Sequence, residues 1–443
     1  MTAPGLIVAA SASGSGKTVF TLALLRAFRR RGVAVASAKI GPDYIDPAFH
    51  AAAGGHRCLN LDGWAMRRTT IARRVAELSV DVNLVLCEGV MGLFDGADVP
   101  AGVPDGSTAT MAADTGWPVV LLVDLKGQAA SAAALIEGFR RHRPDIAVAG
   151  VVFNRCGGPA HRSMVERACT AVMPDLPLLG WLPRHAALAL PERHLGLVQA
   201  CETATLEERL DAAAGLVEEH VALDRLAALA RPSPLAETPS PGEPPLPPLG
   251  QRIAVARDEA FAFAYPAVLD GWRMAGAELS FFSPLADEAP AGAADAVYLP
   301  GGYPELQAGR LAAAGRFLAG LVRAAHGGAW LFGECGGYMT LGEELEDADG
   351  GRHAMAGLLP LATSFAKRRL SLGYRQVRLA GDTPLGKAGA AFRGHEFHYA
   401  TIIGEGPDSP LFSVADAAGR RLGPSGRIVG RVMGSFVHLV DRI

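Results

Sequence analysis

A chain of 443 residues, 49% of them apolar, is too long for one ordinary core and apolar enough to pack two. With 42 basic against 45 acidic residues the net charge is −3, so no electrostatic reason exists to expect nucleic acid or an anionic membrane as partner. The six cysteines are scattered, with no CxxC pair, and the N-terminus shows neither a signal-peptide pattern nor a membrane span; a reduced, cytoplasmic compartment is the expectation.

Taken in chain order, Gly5 to Ala10 reads as a strand and Thr18 to Arg31 as a helix with Leu22, Leu25 and Phe28 inward. Between them lies Ser11-Ala12-Ser13-Gly14-Ser15-Gly16-Lys17-Thr18, nearly the P-loop pattern, with Ser11 in place of the usual first glycine. In such a turn the backbone N–H groups around Ser13, Gly14, Ser15 and Gly16 cradle phosphates, Lys17 adds positive charge, and the Thr18 hydroxyl can bind Mg²⁺. A dinucleotide fingerprint fails, because Val19 stands where its third glycine belongs.

Further strands are expected at Val33 to Lys39, Val82 to Cys87, Val119 to Asp124 and Ala147 to Phe153. Short apolar runs separated by helices predict a mostly parallel sheet covered on both faces. Carboxylates just beyond such strands face the ligand crevice. Glu88 and one of the pair Asp43 and Asp46 are the candidate metal ligands, with Asp95 and Asp124 as further acids in similar places.

Residues 231–250 contain eight prolines in twenty positions and read as an extended, semi-rigid linker, dividing the chain into 1–230 and 251–443. The second half starts again in the same style, with strands expected at Arg252 to Ala256, Ala277 to Phe282, Ala296 to Leu299 and Ala329 to Phe332. After the last comes Gly333-Glu334-Cys335-Gly336-Gly337, the cysteine form of a nucleophile elbow, a strand-to-helix turn that needs glycine on both sides and exposes the sulfur. The following helix N-terminus is expected to favour the thiolate. The glycine pair Gly301 and Gly302 offers backbone N–H groups for an oxyanion hole, and His438 is the candidate base. The segment Arg393-Gly394-His395-Glu396-Phe397-His398-Tyr399 is not a zinc-protease motif, since its histidines are three apart. It is expected to be an exposed strand or a ligand-contact segment. The basic run Lys367, Arg368, Arg369 is either a solvated face or a site for an acidic substrate.

The stretches SASGSGKT, AKIGPDYIDPAFH, CEGVMGLFDG, ARDEAFAF, LPGGYPEL, FGECGGYM, SFAKRRLSLGYR and RGHEFHY, in this order, resemble the cobyrinic acid a,c-diamide synthase family over nearly the whole chain. The resemblance implies an α/β protein of two domains: a P-loop parallel-sheet domain like dethiobiotin synthetase, and a class I glutamine amidotransferase-like α/β domain. It implies a ligase of cobalamin biosynthesis that amidates the a and c side-chain carboxylates of a corrinoid, cobyrinate or hydrogenobyrinate, with ATP, Mg²⁺ and glutamine. It also implies Cys335 and His438 as the glutaminase pair, Asn154 as a reader of the adenine base, and a homodimer. The glutamate that common amidotransferases carry two residues beyond the histidine is replaced by Val440, with Asp441 one residue further, so a third triad member is not assigned. The chemistry expected is transfer of the ATP γ-phosphoryl group to the carboxylate, then attack by ammonia released at Cys335 and kept from bulk water. Cobyric acid synthase and nickel sirohydrochlorin amidation stay open, as does, from another class, a regulatory P-loop ATPase with a degenerate second domain.

Overall fold

The computed structural model describes residues 2–188, 192–193, 196–197, 205–237, 243–406 and 409–443. Cys201 and residues 238–242 of the proline-rich stretch lie outside the described residues. Two compact units result: Met1–Trp64, Arg68–Ala97 and Gly102–Pro241 form the first, and Ala65–Arg67, Asp98–Ala101 and Gly242–Ile443 the second.

The first unit carries, in chain order, β1 (Gly5–Ala10), α1 (Lys17–Arg30), β2 (Val35–Ile40), α2 (Asp46–Gly54), β3 (Cys58–Leu61), α3 (Arg68–Leu78), β4 (Leu84–Glu88), α4 (Thr108–Thr115), β5 (Val119–Asp124), α5 (Ser131–His142), β6 (Val148–Cys156), α6 (Pro159–Val172), β7 (Leu178–Pro183), the short pair β8 (Glu192–Arg193) and β9 (Gly196–Leu197), α7 (Leu206–His220) and α8 (Leu223–Ala227). A seven-stranded sheet runs β3-β2-β4-β1-β5-β6-β7, and all its pairings are parallel. Every residue of β1, β2, β3 and β4 is buried, as a parallel sheet covered on both faces requires. β1 is central, so the P-loop that follows it opens between the carboxyl ends of β4 and β5.

The second unit holds β10 (Arg252–Ala256), α9 (Pro266–Met274), β11 (Glu278–Phe282), β12 (Ala296–Leu299), α10 (Ala308–Ala313), α11 (Gly315–His326), β13 (Trp330–Glu334) and α12 (Gly336–Leu341), followed by strands only: β14 (Glu344–Glu346), β15 (Arg352–Ala354), β16 (Leu361–Ser364), β17 (Ser371–Leu379), β18 (Ala391–His398), β19 (Thr401–Glu405), β20 (Phe412–Asp416), β21 (Arg421–Ser425), β22 (Arg427–Val429), β23 (Val432–Ser435) and β24 (His438–Arg442). Its main sheet is β11-β10-β12-β13-β23-β22, parallel except for the last pairing. Beside it stand a four-stranded sheet, β15-β14-β16-β19, and a five-stranded antiparallel sheet, β21-β20-β17-β18-β24. The β-rich region after α12 is not foreseen by the sequence reading.

The described ends of the proline-rich stretch are docked rather than extended into solvent. Arg231 exchanges backbone hydrogen bonds with Gly5, and a short turn at Pro234–Glu237 buries Leu235 against the first unit. Leu246 and Leu249 are buried in the second, where the Pro247 carbonyl accepts from the Trp272 indole. The leucines among the prolines supply the apolar surface that holds each end down. No helix among the described residues is long and apolar enough to cross a membrane.

Candidate active sites

In the first unit the turn from β1 into α1 takes positive φ at Gly14 (73°) and Gly16 (93°), conformations that only glycine adopts without strain. A Cβ on Gly16 would lie 2.6 Å from the Asn154 amide nitrogen. Asn154 donates to the Ser15 carbonyl at 2.9 Å and its own amide oxygen accepts from the Arg155 backbone, so it braces the P-loop from β6. Ser15 ties the loop further through its hydroxyl to the Ala12 carbonyl, and Ser13 lies exposed beside Gly14. Lys17 is buried and donates to the Met91 carbonyl at 2.5 Å; burial lowers its pKa to about 8, against the pull of Glu88. Met91 stands at φ 46°, strained for a side chain of its kind.

Thr18, Asp46 and Glu88 converge. The Thr18 hydroxyl lies 2.6 Å from Glu88 Oε1 and 3.4 Å from Asp46 Oδ2. Lys39, at the end of β2, reaches Asp46 at 2.6 Å and Glu88 at 2.7 Å, and His50 meets Glu88 Oε2 at 2.7 Å. Asp43 takes a different part: it accepts from the backbone N–H of Ile45 and Asp46 and shapes the turn into α2. Asp95 likewise closes a turn on Gly92, and Asp124 pairs with Arg155. Lys39 and His50 were not singled out from the sequence. The spacing that could have found His50 is its place one helical turn after Asp46 on α2.

The cations of this cluster act unequally on its two carboxylates. Burial would raise Glu88, but Lys39 and His50 hold it well below the carboxylate range. Asp46, by contrast, is pushed up to about 7 by burial and by the neighbouring Asp43 and Glu88 charges, which Lys39 only partly offsets. A hydroxyl with two carboxylates, Thr18 with Asp46 and Glu88, is a hard-oxygen set that suits Mg²⁺. Among the described residues no group of three or more His, Cys, Asp or Glu side chains is placed to hold a metal ion by itself.

In the second unit β13 ends at Glu334 and Cys335 takes φ 47°, ψ −102° before α12, the strained turn of a nucleophile elbow. Its glycines are steric necessities: a Cβ on Gly337 would fall 1.9 Å from the Leu299 carbonyl oxygen, and one on Gly333 2.6 Å from the Gly337 backbone. Gly301 separates the two reactive candidates. A Cβ there would stand 2.3 Å from His438 Cε1, 3.1 Å from its Nε2 and 3.4 Å from Cys335 Cβ, so imidazole and thiol flank one glycine. Gly302 is pinned against the Ala260 carbonyl, where a Cβ would lie 2.0 Å away. Gly301 also forms an isolated antiparallel bridge with Phe263, whose N–H donates to the Gly301 carbonyl at 2.9 Å.

Two expectations are corrected here. The thiolate is not favoured: burial raises the Cys335 pKa well above its ordinary value, and the Gly336 backbone N–H at the start of α12 only partly offsets it. His438 is driven the other way, well below 6.5, by burial and by His395 and His398. The pair rests neutral. Secondly, the RGHEFHY segment is not exposed. It forms β18, with His395 and His398 buried, because Gly394 lets the strand pass against the His438 carbonyl, where a Cβ would be 2.0 Å away.

Asp441 pairs with Arg393 across a bulge in the β18–β24 register, and Arg67 of the same unit binds it through its backbone N–H and guanidinium at 2.9 and 3.0 Å. Glu334, next to Cys335, accepts from the Leu439 backbone at 2.9 Å and the Tyr298 hydroxyl at 2.6 Å, and burial raises it to about 7.

A P-loop sheet and a cysteine-elbow sheet in one chain define a nucleotide-using, glutamine-hydrolysing enzyme, and comparison with known proteins agrees. Residues 6–198 match the CobQ/CobB/MinD/ParA nucleotide binding domain, and residues 252–441 the CobB/CobQ-like glutamine amidotransferase domain. The chain is 52% identical to the hydrogenobyrinate a,c-diamide synthase of Rhizobium meliloti (strain 1021) over 99% of both chains. It is 52% identical to that of Rhodobacter capsulatus over 98% of both. The chain belongs to the hydrogenobyrinate a,c-diamide synthase family, whose members are glutamine-hydrolysing carbon–nitrogen ligases of cobalamin biosynthesis.

Proposed function

We propose that the protein amidates the a and c side-chain carboxylates of hydrogenobyrinate, consuming ATP and glutamine. The observation that carries this reading is the coexistence, in a chain of this family, of an intact phosphate-binding turn with a converging Thr18–Asp46–Glu88 set and an intact Cys335–Gly301–His438 arrangement.

The backbone N–H groups of residues 13–16 and the Lys17 ammonium bind the ATP phosphates, with Asn154 serving to hold the turn. One N–H and one oxygen lone pair of Asn154 stay available beyond these bonds, so the same side chain can brace the turn and read the adenine base. Thr18, Asp46 and Glu88 would hold Mg²⁺, which would neutralise phosphate charge during transfer. The γ-phosphoryl group passes to the substrate carboxylate and turns a poor oxide leaving group into phosphate. In the second unit neutral His438 takes the proton of the Cys335 thiol as the sulfur attacks the glutamine amide carbon, and Gly301 and Gly302 N–H groups stabilise the oxyanion. Ammonia leaves with a proton from His438, water hydrolyses the thioester, and the free amine attacks the acyl phosphate.

Incubation with hydrogenobyrinate, ATP, Mg²⁺ and glutamine is expected to give two successive exchanges of hydroxyl for amide by mass spectrometry. Carboxyl ¹⁸O in the substrate is expected to appear in inorganic phosphate. Label in AMP would replace the acyl phosphate by an adenylate, and turnover of nickel sirohydrochlorin with none of hydrogenobyrinate would overturn the substrate.

A further inference from the structure

In a Cys–His pair the imidazole needs something to fix its plane. The strand next door does offer a rigid partner. His395 lies opposite His438 in the β18–β24 register, and the two rings stack at 5.1 Å between centroids and 9° between planes. The far edge of His395 is anchored: its Nε2 meets the Tyr265 hydroxyl at 2.5 Å, and the two rings stand edge to face at 6.1 Å. Tyr265 is itself buried at the start of α9, two residues after Phe263, whose N–H donates to the Gly301 carbonyl. A closed loop of contacts therefore runs Gly301, Phe263, Tyr265, His395, His438 and back to Gly301.

We infer that His395, held by Tyr265, is the positioning residue of the glutaminase: its ring lies flat against His438 and keeps that imidazole edge-on to Gly301 and Cys335. The inference rests on the reading of Cys335 and His438 as nucleophile and base. Stacked rings pass no proton between them, so His395 acts on the orientation of His438 and not in the proton's path. Burial lowers His395 to about 3, so the stack consists of two neutral rings and adds no cation beside the base. Its other charged neighbour, Arg375, is taken up by Glu396 at 2.6 Å. The glycine before His395 has its reason here too, since a side chain at Gly394 would push β18 off the His438 backbone and separate the rings.

The test uses the full chain, with glutamate release and ammonia-dependent amidation measured in parallel. His395→Ala is expected to lower the glutaminase kcat about ten- to hundredfold, since misplacing a reacting group by about 1 Å costs that much, with the KM for glutamine little changed. Ammonia-dependent amidation is expected to stay as in the parent. His395→Phe, which keeps a flat ring but neither nitrogen, should recover most of the lost kcat, and Tyr265→Phe should lose about threefold by freeing the His395 ring. A merely structural role would lower the thermal midpoint and leave the kcat of the folded fraction unchanged. If Cys335→Ala abolishes glutaminase activity while folded His395→Ala keeps its kcat within about twofold, this inference falls and the nucleophile stands. If Cys335→Ala keeps glutaminase activity, the nucleophile assignment falls and takes this inference with it.

Discussion

The phosphate cluster of the first unit and the thiol site of the second solve opposite problems. Around Lys17, Lys39, Asp46, Glu88 and His50 five ionisable groups are packed in or near full burial, and the arrangement is held by charge. Around Cys335 the reacting groups rest neutral, and the arrangement is held by shape: glycines at 301, 302, 333, 337 and 394 each sit where a Cβ would strike a neighbour. Phosphoryl transfer moves charge between oxygens, so prepositioned charge is the useful device. Amide hydrolysis begins with a proton transfer between neutral partners, so distance and orientation decide it.

The comparison breaks most sharply by deleting one group from each side. Lys17→Ala is expected to reduce amidation by about 10³-fold or more with either nitrogen source, as loss of a major phosphate-stabilising charge does. Cys335→Ala is expected to reduce glutamine-dependent amidation as severely and to leave ammonia-dependent amidation largely intact. Parallel steady-state assays with glutamine and with ammonium at alkaline pH read both, and equal losses for Cys335→Ala would end the division of labour.

A smaller substitution sharpens the contrast. Gly301→Ala adds one methyl group 2.3 Å from His438 Cε1 and should cost the glutaminase about 10²-fold in kcat without touching ammonia-dependent amidation. Its counterpart on the charged side is Glu88→Gln, which removes the shared anion from Lys39 and His50. Breaking a buried pair typically costs about 3–5 kcal/mol, and the low end, about 3 kcal/mol, is expected here because Asp46 still serves Lys39. Denaturant unfolding of the two variants checks the pairing: stability falls in Glu88→Gln, activity in Gly301→Ala.

The mildest test is alkylation of Cys335 by iodoacetamide across pH. Burial raises the thiol, so the thiolate fraction is small at neutral pH and keeps growing as pH rises. The inactivation rate should therefore climb through pH 9 with no plateau near neutrality. A plateau below pH 7 would mean that a thiolate–imidazolium pair already exists at rest, and the neutral description would be wrong.

Much of this molecule was legible in the sequence, for reasons that are local. β1, β5, β10 and β12 were read with their observed bounds because parallel strands buried on both faces are unbroken apolar runs. The P-loop and the cysteine elbow were legible because a tight turn between strand and helix demands glycine at set positions. The β-rich region after α12 was not. Many of its strands are three to five residues long or carry exposed positions, and some pair with partners far along the chain, such as β18 with β24, so they leave little local pattern.

What the sequence by itself supplied is therefore the set of candidate groups: a thiol, an imidazole, an ammonium and several carboxylates, most of them in turns that follow strands. Only the tertiary structure decided what those groups are to one another. It set Asp46 with Glu88 on Thr18 and gave Asp43 to the backbone turn, which spacing alone left undivided. It turned Asp441 toward Arg67 and brought His395 flat against His438. The physical reason is that a strand's alternation fixes which face a side chain takes, whereas the charge state and orientation of a buried group depend on neighbours contributed by other strands.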